Sequence, residues 1–166
     1  MSSPALYVKL MFLCNAATSL YGGYQSYIAI TNLKKYEETS KKLAEWSSTA
    51  AGHLQKTRTT QGAGAIAVLL SLIISTTLAA GDTALPFWFT VAASPAMLVC
   101  VLGARQYIKG YWNPNDKDSV GTRIPLPNME GYNEAQRRTE EVLNTLQYLE
   151  YGWVATTFIA GMAQKS

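Results

Sequence analysis

The sequence predicts an all-α integral membrane protein, a four-helix bundle with a helical loop between its first two spans. Three observations carry that prediction. Four segments, 6–30, 62–80, 85–107 and 145–163, each approach the length of about 20 mostly apolar residues that crosses a hydrocarbon core of roughly 30 Å. Twelve of the 14 Lys and Arg residues fall within 34–58 and 105–138, on one side of those segments. Tyr and Trp gather where the segments end, as they do at membrane interfaces. The chain is read as one membrane domain over 1–166, with long loops at 31–61 and 108–144. A soluble bundle is the competing reading. It would put a charged face on every helix, whereas 62–80 carries no charge at all.

The first segment is polar for a span. Asn15, Ser19, Gly22 and Ser26 recur at steps of four, three and four. Such positions mark a seam where membrane helices touch, because small residues admit a close backbone and polar ones bond across. Lys9 lies near the outer end, within reach of the headgroups. A cleaved signal peptide would need a basic start and a shorter apolar run, so this segment is read as retained.

The loop that follows is patterned. Leu33, Tyr36, Ser40, Leu43, Trp46, Ala50 and Leu54 recur at helical steps, predicting helix over 33–54. Leu43 and Trp46 form one face, and Lys34, Lys35, Lys41 and Lys42 lie off it as a membrane-surface or partner-facing set. Three placements fit: an extension of the first span, a helix on anionic headgroups, or a docking face for another protein. The run SSTAAG at 47–52 reads as the turn before His53.

The second segment is the cleanest span. The third contains Pro95, which is expected to kink it, and Arg105 near its inner end. The stretch 110–133 holds three prolines and three glycines and is expected to be irregular. Its cluster Asn113, Asn115, Asp116 and Asp118 lacks the spaced acids and distant Glu of a calcium loop and is read as a solvated turn. Asn133 is the expected cap of a helix running into the fourth span, where Gln147, Glu150, Thr157 and Gly161 can share one side.

Basic loops remain on the cytoplasmic side, so both termini are expected to be non-cytoplasmic. The membrane is then an endomembrane such as the endoplasmic reticulum, or the mitochondrial inner membrane with the matrix as the basic side. None of the Asn residues begins an N-x-Ser/Thr sequon. Cys14 and Cys100 differ in depth and are expected to stay unpaired as small buried residues.

The sequence carries no CxxC, GxSxG, P-loop or GxGxxG, and its one His is His53. No catalytic residue, cofactor, metal or nucleic acid is therefore implied. Ionisable groups inside a span are costly and mark candidate sites. Arg105 and Glu150 lie at similar depth near the same face, so they are expected to pair. With Asn15 and Gln147 they form the candidate polar intramembrane site. Two functions fit. One is a non-enzymatic accessory, assembly or scaffold subunit, partnered by the bilayer and by another membrane protein or a second copy. The other is a small membrane enzyme or carrier holding a lipophilic molecule in a cavity near Glu150 and Arg105.

Overall fold

A computed structural model describes residues 4–44, 48–81, 86–112 and 130–163. They form four α-helices, α1 (Pro4–Ala44), α2 (Ser48–Ala80), α3 (Phe87–Trp112) and α4 (Glu130–Ala163), with no strand among the described residues. Two stretches, Gln55–Ala80 and Val91–Trp112, are long and apolar enough to cross a membrane. The first and fourth helices carry polar residues through their length and fall short of that measure.

Three local expectations are corrected. Residues 48–52 of the expected turn are helical and open α2. Ser and Thr suit a helix start and Ala is the best helix former, which outweighs the cost of about 1 kcal/mol for Gly52. The helix expected over 33–54 is instead divided: α1 continues unbroken to Ala44 and α2 begins at Ser48. Lys35, Lys41, Lys42 and Leu43 are thus on the distal part of α1, while Trp46 lies outside the described residues. Asn133 is inside α4, which starts three residues earlier at Glu130, where a carboxylate suits the positive end of the helix dipole. The Asn113–Asp118 cluster also lies outside the described residues. α3 runs through Pro95 and beyond the expected 107 to Trp112, with Lys109 in its last turn, the favourable end for a cation.

The helices form a ring. α1 packs along α2 and α4, and α3 packs along α2 and α4 from the other side; α1 and α3 do not touch among the described residues. Trp153 of α4 sits at the centre, fully buried, with Phe12 of α1 at a ring-centroid distance of 6.3 Å. Leu146, Leu149, Val68, Val101 and Ile108 complete the core.

The seams explain this arrangement. On α1, Phe12, Asn15, Ser19, Gly22, Ser26, Ala29 and Leu33 are buried, at alternating steps of three and four. On α2, Thr57, Gln61, Gly64, Val68, Ser71, Ser75 and Leu78 do the same. A period of 3.5 residues is the signature of helices packed side by side with a left-handed twist. The large apolar residues Leu10, Leu13, Leu20, Ile66, Leu69 and Ile73 face outward instead. Several buried hydroxyls are satisfied locally: Ser19 donates to the Asn15 carbonyl at 2.8 Å and Ser75 to the Ser71 carbonyl at 2.5 Å.

Two glycines set the approach of α1 to its neighbours. A Cβ on Gly22 would meet Thr145 Cγ2 at 2.5 Å and Val68 Cγ1 at 3.3 Å, so three helices converge there. A Cβ on Gly152 would collide with the Asn15 side chain. At the other end Gly81 closes α2 at φ 62°, the left-handed cap that glycine adopts without strain. The end of the Lys9 side chain lies against Gly81, putting its ammonium by the negative end of α2.

Both cysteines are free. Cys14 is exposed rather than buried, because it falls beside Leu13 on the outward face, one position off the seam residue Asn15. Cys100 is half-buried against the core.

Gly22→Leu should destabilise the protein in detergent by about 1–3 kcal/mol through overpacking. Gly23→Ala, where a Cβ meets nothing within 4 Å, should be neutral or mildly stabilising. Thermal melts of the two variants check the contrast; equal losses would mean that Gly22 is not a close-approach point.

Candidate functional site

Glu150 and Gln147 are three residues apart on α4 and so share one side of it. Arg105 of α3 reaches both. Its Nη1 donates to Glu150 Oε2 at 2.7 Å and its Nη2 to Gln147 Oε1 at 2.7 Å. Gln147 Nε2 in turn donates to the Tyr151 hydroxyl at 2.9 Å, one turn along. The Arg105 and Glu150 side chains are only 16% and 20% exposed. One guanidinium thus ties two residues of the neighbouring helix, and it meets the carboxylate with the short geometry of a charge-assisted bond. Arg105 Nε is buried without a hydrogen-bond partner among the described residues.

Asn15 is not part of this cluster. It lies in the α1–α4 interface against Gly152, and its Nδ2 is buried with no partner among the described residues. The side of α4 that meets α1 carries Arg138, Glu141, Thr145 and Gly152. Gln147 and Glu150 are turned to α3, so the polar seam of α1 and the polar pair of α4 do not line a shared space. Of the proposed partner-facing residues, Lys34 is exposed on α1, one residue past the buried seam residue Leu33.

Six polar contacts between helices go beyond what the sequence suggests. Trp153 Nε1 donates to Ser71 Oγ at 3.0 Å in the middle of the bundle. Gln61 Nε2 donates to Thr139 Oγ1 between α2 and α4, and both residues are buried. Arg138 Nη1 donates to Gln25 Oε1 at 2.7 Å between α4 and α1. Around the same end, Thr57 and Tyr111 share a hydrogen bond of 3.0 Å, Tyr107 donates to Thr59 at 2.9 Å, and Trp112 Nε1 donates to Thr60 at 3.2 Å. The loop-side end of the bundle is therefore closed by a collar of polar bonds across helices. The signal for it was the 3.5-residue recurrence of Thr57, Gln61, Gly64, Ser71 and Ser75, which extends the helical pattern upstream of residue 62.

Below the collar, Arg137 and Arg138 both bind Glu134, at 3.0 and 2.7 Å. The Arg137 hydrogen bond, followed by that of Arg138, holds the Glu134 carboxyl below its ordinary range. A depressed carboxylate contributes stability above its unfolded value of about 4.3 and loses that contribution as pH falls through the folded value. No group of three His, Cys, Asp or Glu side chains suited to a metal occurs among the described residues.

The Arg105–Glu150 contact should show a coupling of about 1–3 kcal/mol in a double-mutant cycle of Arg105→Gln and Glu150→Gln, read by thermal unfolding in detergent. Each single variant strands a half-buried polar partner, so the double variant should lose less than the sum. Strict additivity would mean that the pair does not hold α3 to α4. Compared with known proteins, the chain matches no protein-family model, no curated protein and no solved structure.

Proposed function

We propose that the chain is a four-span membrane protein with both termini on the non-cytoplasmic side. We read it as a non-enzymatic accessory, assembly or scaffold subunit. The membrane is the endoplasmic reticulum or the mitochondrial inner membrane, and the partner is another membrane protein or a second copy.

The observation that carries the membrane reading is inverted burial. Asn15, Ser19, Gln25, Ser71, Ser75 and Thr156 are inside, while Leu13, Leu20, Ile66, Ile73, Val99 and Phe158 are outside. Water would favour the reverse, since burying apolar surface drives folding and burying polar groups opposes it. The core helix of a soluble protein would be mostly buried, yet only 33% of the most apolar window of Gln55–Ala80 and 28% of that of Val91–Trp112 are buried. Some exposed aromatic residues are set a span's length apart. Tyr7 and Tyr27 lie 20 residues apart on α1, about 30 Å at the helical rise. Trp88 and Tyr107 lie 19 apart on α3, about 28 Å. Both spacings match the thickness of a hydrocarbon core.

The non-enzymatic reading rests on how the polar groups are used. Arg105, Gln147, Glu150 and Tyr151 bond to one another, and the two Arg105 bonds join α3 to α4. Outside that network, α1 extends about 14 residues past Ile30 and α2 begins about 14 residues before Gly62, which gives a helical pair some 20 Å long beyond the spans. A surface of that length suits a partner. One observation favours a carrier or enzyme for a lipophilic molecule: Arg105 Nε and Asn15 Nδ2 are buried donors without partners among the described residues, and such groups call for a ligand or water.

Single-cysteine labelling at Ser2, Ser47, Thr122 and Ser166, in a background with Cys14 and Cys100 replaced, should mark Ser47 and Thr122 from the cytoplasmic side and Ser2 and Ser166 from the other. Labelling of Ser47 from outside sinks the topology. Purification in mild detergent should retain a membrane-protein partner or a second copy at fixed stoichiometry. Recovery as a monomer with one bound lipophilic molecule would overturn the scaffold reading in favour of the carrier.

A further inference from the structure

Two hydrogen-bonding valences stay open where Arg105 ties α3 to α4. Arg105 occupies Glu150 Oε2 and Gln147 Oε1, and Gln147 Nε2 donates to the Tyr151 oxygen. Among the described residues, Glu150 Oε1 accepts no hydrogen bond and the Tyr151 hydroxyl donates none. Tyr151 is 58% exposed and the Glu150 side chain 20%, so both reach the outside of the bundle. Apolar residues continue from this polar group at matching steps on the two helices. Leu102 and Leu98 lie three and seven residues before Arg105 on α3, and Val154 and Phe158 lie three and seven after Tyr151 on α4. Such steps keep to one side of a helix. Both rows run away from the loop-side end for about 10 Å. Phe158 is exposed and the other three are half-buried.

We propose that this site binds a sterol from the cytoplasmic leaflet, its hydroxyl donating to Glu150 Oε1 or accepting from Tyr151, and its rings lying along the apolar rows. The inference rests on the membrane reading above and holds for a scaffold and a carrier alike. On that reading Arg105 lies about 3 Å inward of Tyr107, just beneath the headgroups, where lipid tails offer the open valences no partner. Charge selects the occupant. Arg105 and Glu150 neutralise each other at 2.7 Å, so a headgroup of either sign meets a like charge. A hydroxyl supplies one donor and accepts in return, which complements one carboxylate oxygen and one phenol. A diacylglycerol adds ester carbonyls that need donors, and the Tyr151 hydroxyl is the one donor left open on this exposed side. A sterol carries its single hydroxyl on an otherwise hydrocarbon body.

The test is saturation binding of tritiated cholesterol to the full-length chain in detergent micelles. The wild-type chain should bind it saturably, at one per chain. Cholesteryl methyl ether, which keeps the rings and lacks the hydroxyl proton, should compete about fivefold more weakly than cholesterol, the worth of one ordinary hydrogen bond. Tyr151→Phe should weaken cholesterol binding by a similar factor. Tyr148→Phe, which removes another exposed phenol of α4, should leave it unchanged. Absence of saturable binding overturns the proposal, as does equal competition by the methyl ether or undiminished binding by Tyr151→Phe. Competition by dioleoylglycerol or phosphatidylglycerol as strong as that by cholesterol would assign the site to lipids at large and overturn it too. Should Tyr151→Phe lose its helical circular dichroism, the methyl ether on the wild-type chain decides. Release of the wild-type chain from membranes by alkaline carbonate would instead count against the membrane reading itself.

Discussion

Close backbone approach along the inner seams is the constraint on which the other contacts depend. Gly22 lets α1 meet Thr145 and Val68 at one point, and Gly152 makes room for Asn15. Once the helices are that near, polar side chains bond across the gaps. Ser71 reaches Trp153, Gln61 reaches Thr139, and Gln25 reaches Arg138. A bulkier seam would separate the helices and strand these groups, at about 1–3 kcal/mol for each buried group left unsatisfied. Stability here comes from many modest polar and van der Waals contacts. The apolar core around Trp153, Leu146, Leu149, Val68, Val101 and Ile108 adds to these contacts, while Leu13, Leu20, Ile66 and Ile73 point away from it.

This inversion explains what the sequence could and could not reveal. Four helices were legible because long segments of one character persist between charged blocks. The seam of α1 was legible because Asn15, Ser19, Gly22 and Ser26 stand out against apolar neighbours. The equivalent seam of α2 was hidden, since Ser71 and Ser75 look unremarkable within GAGAIAVLLSLIISTTLAA, and Thr57 and Gln61 fall in what reads as loop. The Arg105–Glu150 juxtaposition followed from equal depth on adjoining segments. The separation of Asn15 from that pair did not, because it depends on which side of α4 turns to α1. That rotation is set by the packing of Thr145 and Gly152, which no periodicity of Gln147 and Glu150 expresses.

The helix boundaries were misjudged for a related reason. Residues 47–52 and 133 carry turn-forming and capping residues, and local chemistry alone favours a break or a start there. Continuous backbone hydrogen bonding along a helix already anchored by its neighbours outweighs those preferences, so α2 begins at Ser48 and α4 at Glu130.

The continuity of α1 has a mechanical consequence. Its 41 residues form one rod, with no break between the packed part and the end at Ala44. The end stands about 20 Å beyond Ile30. A bundle that leans by about 20°, an ordinary tilt for a membrane helix, swings that end sideways by roughly 7 Å. On the proposed membrane reading, a change of bilayer thickness that altered the tilt would displace the far end of the rod sideways.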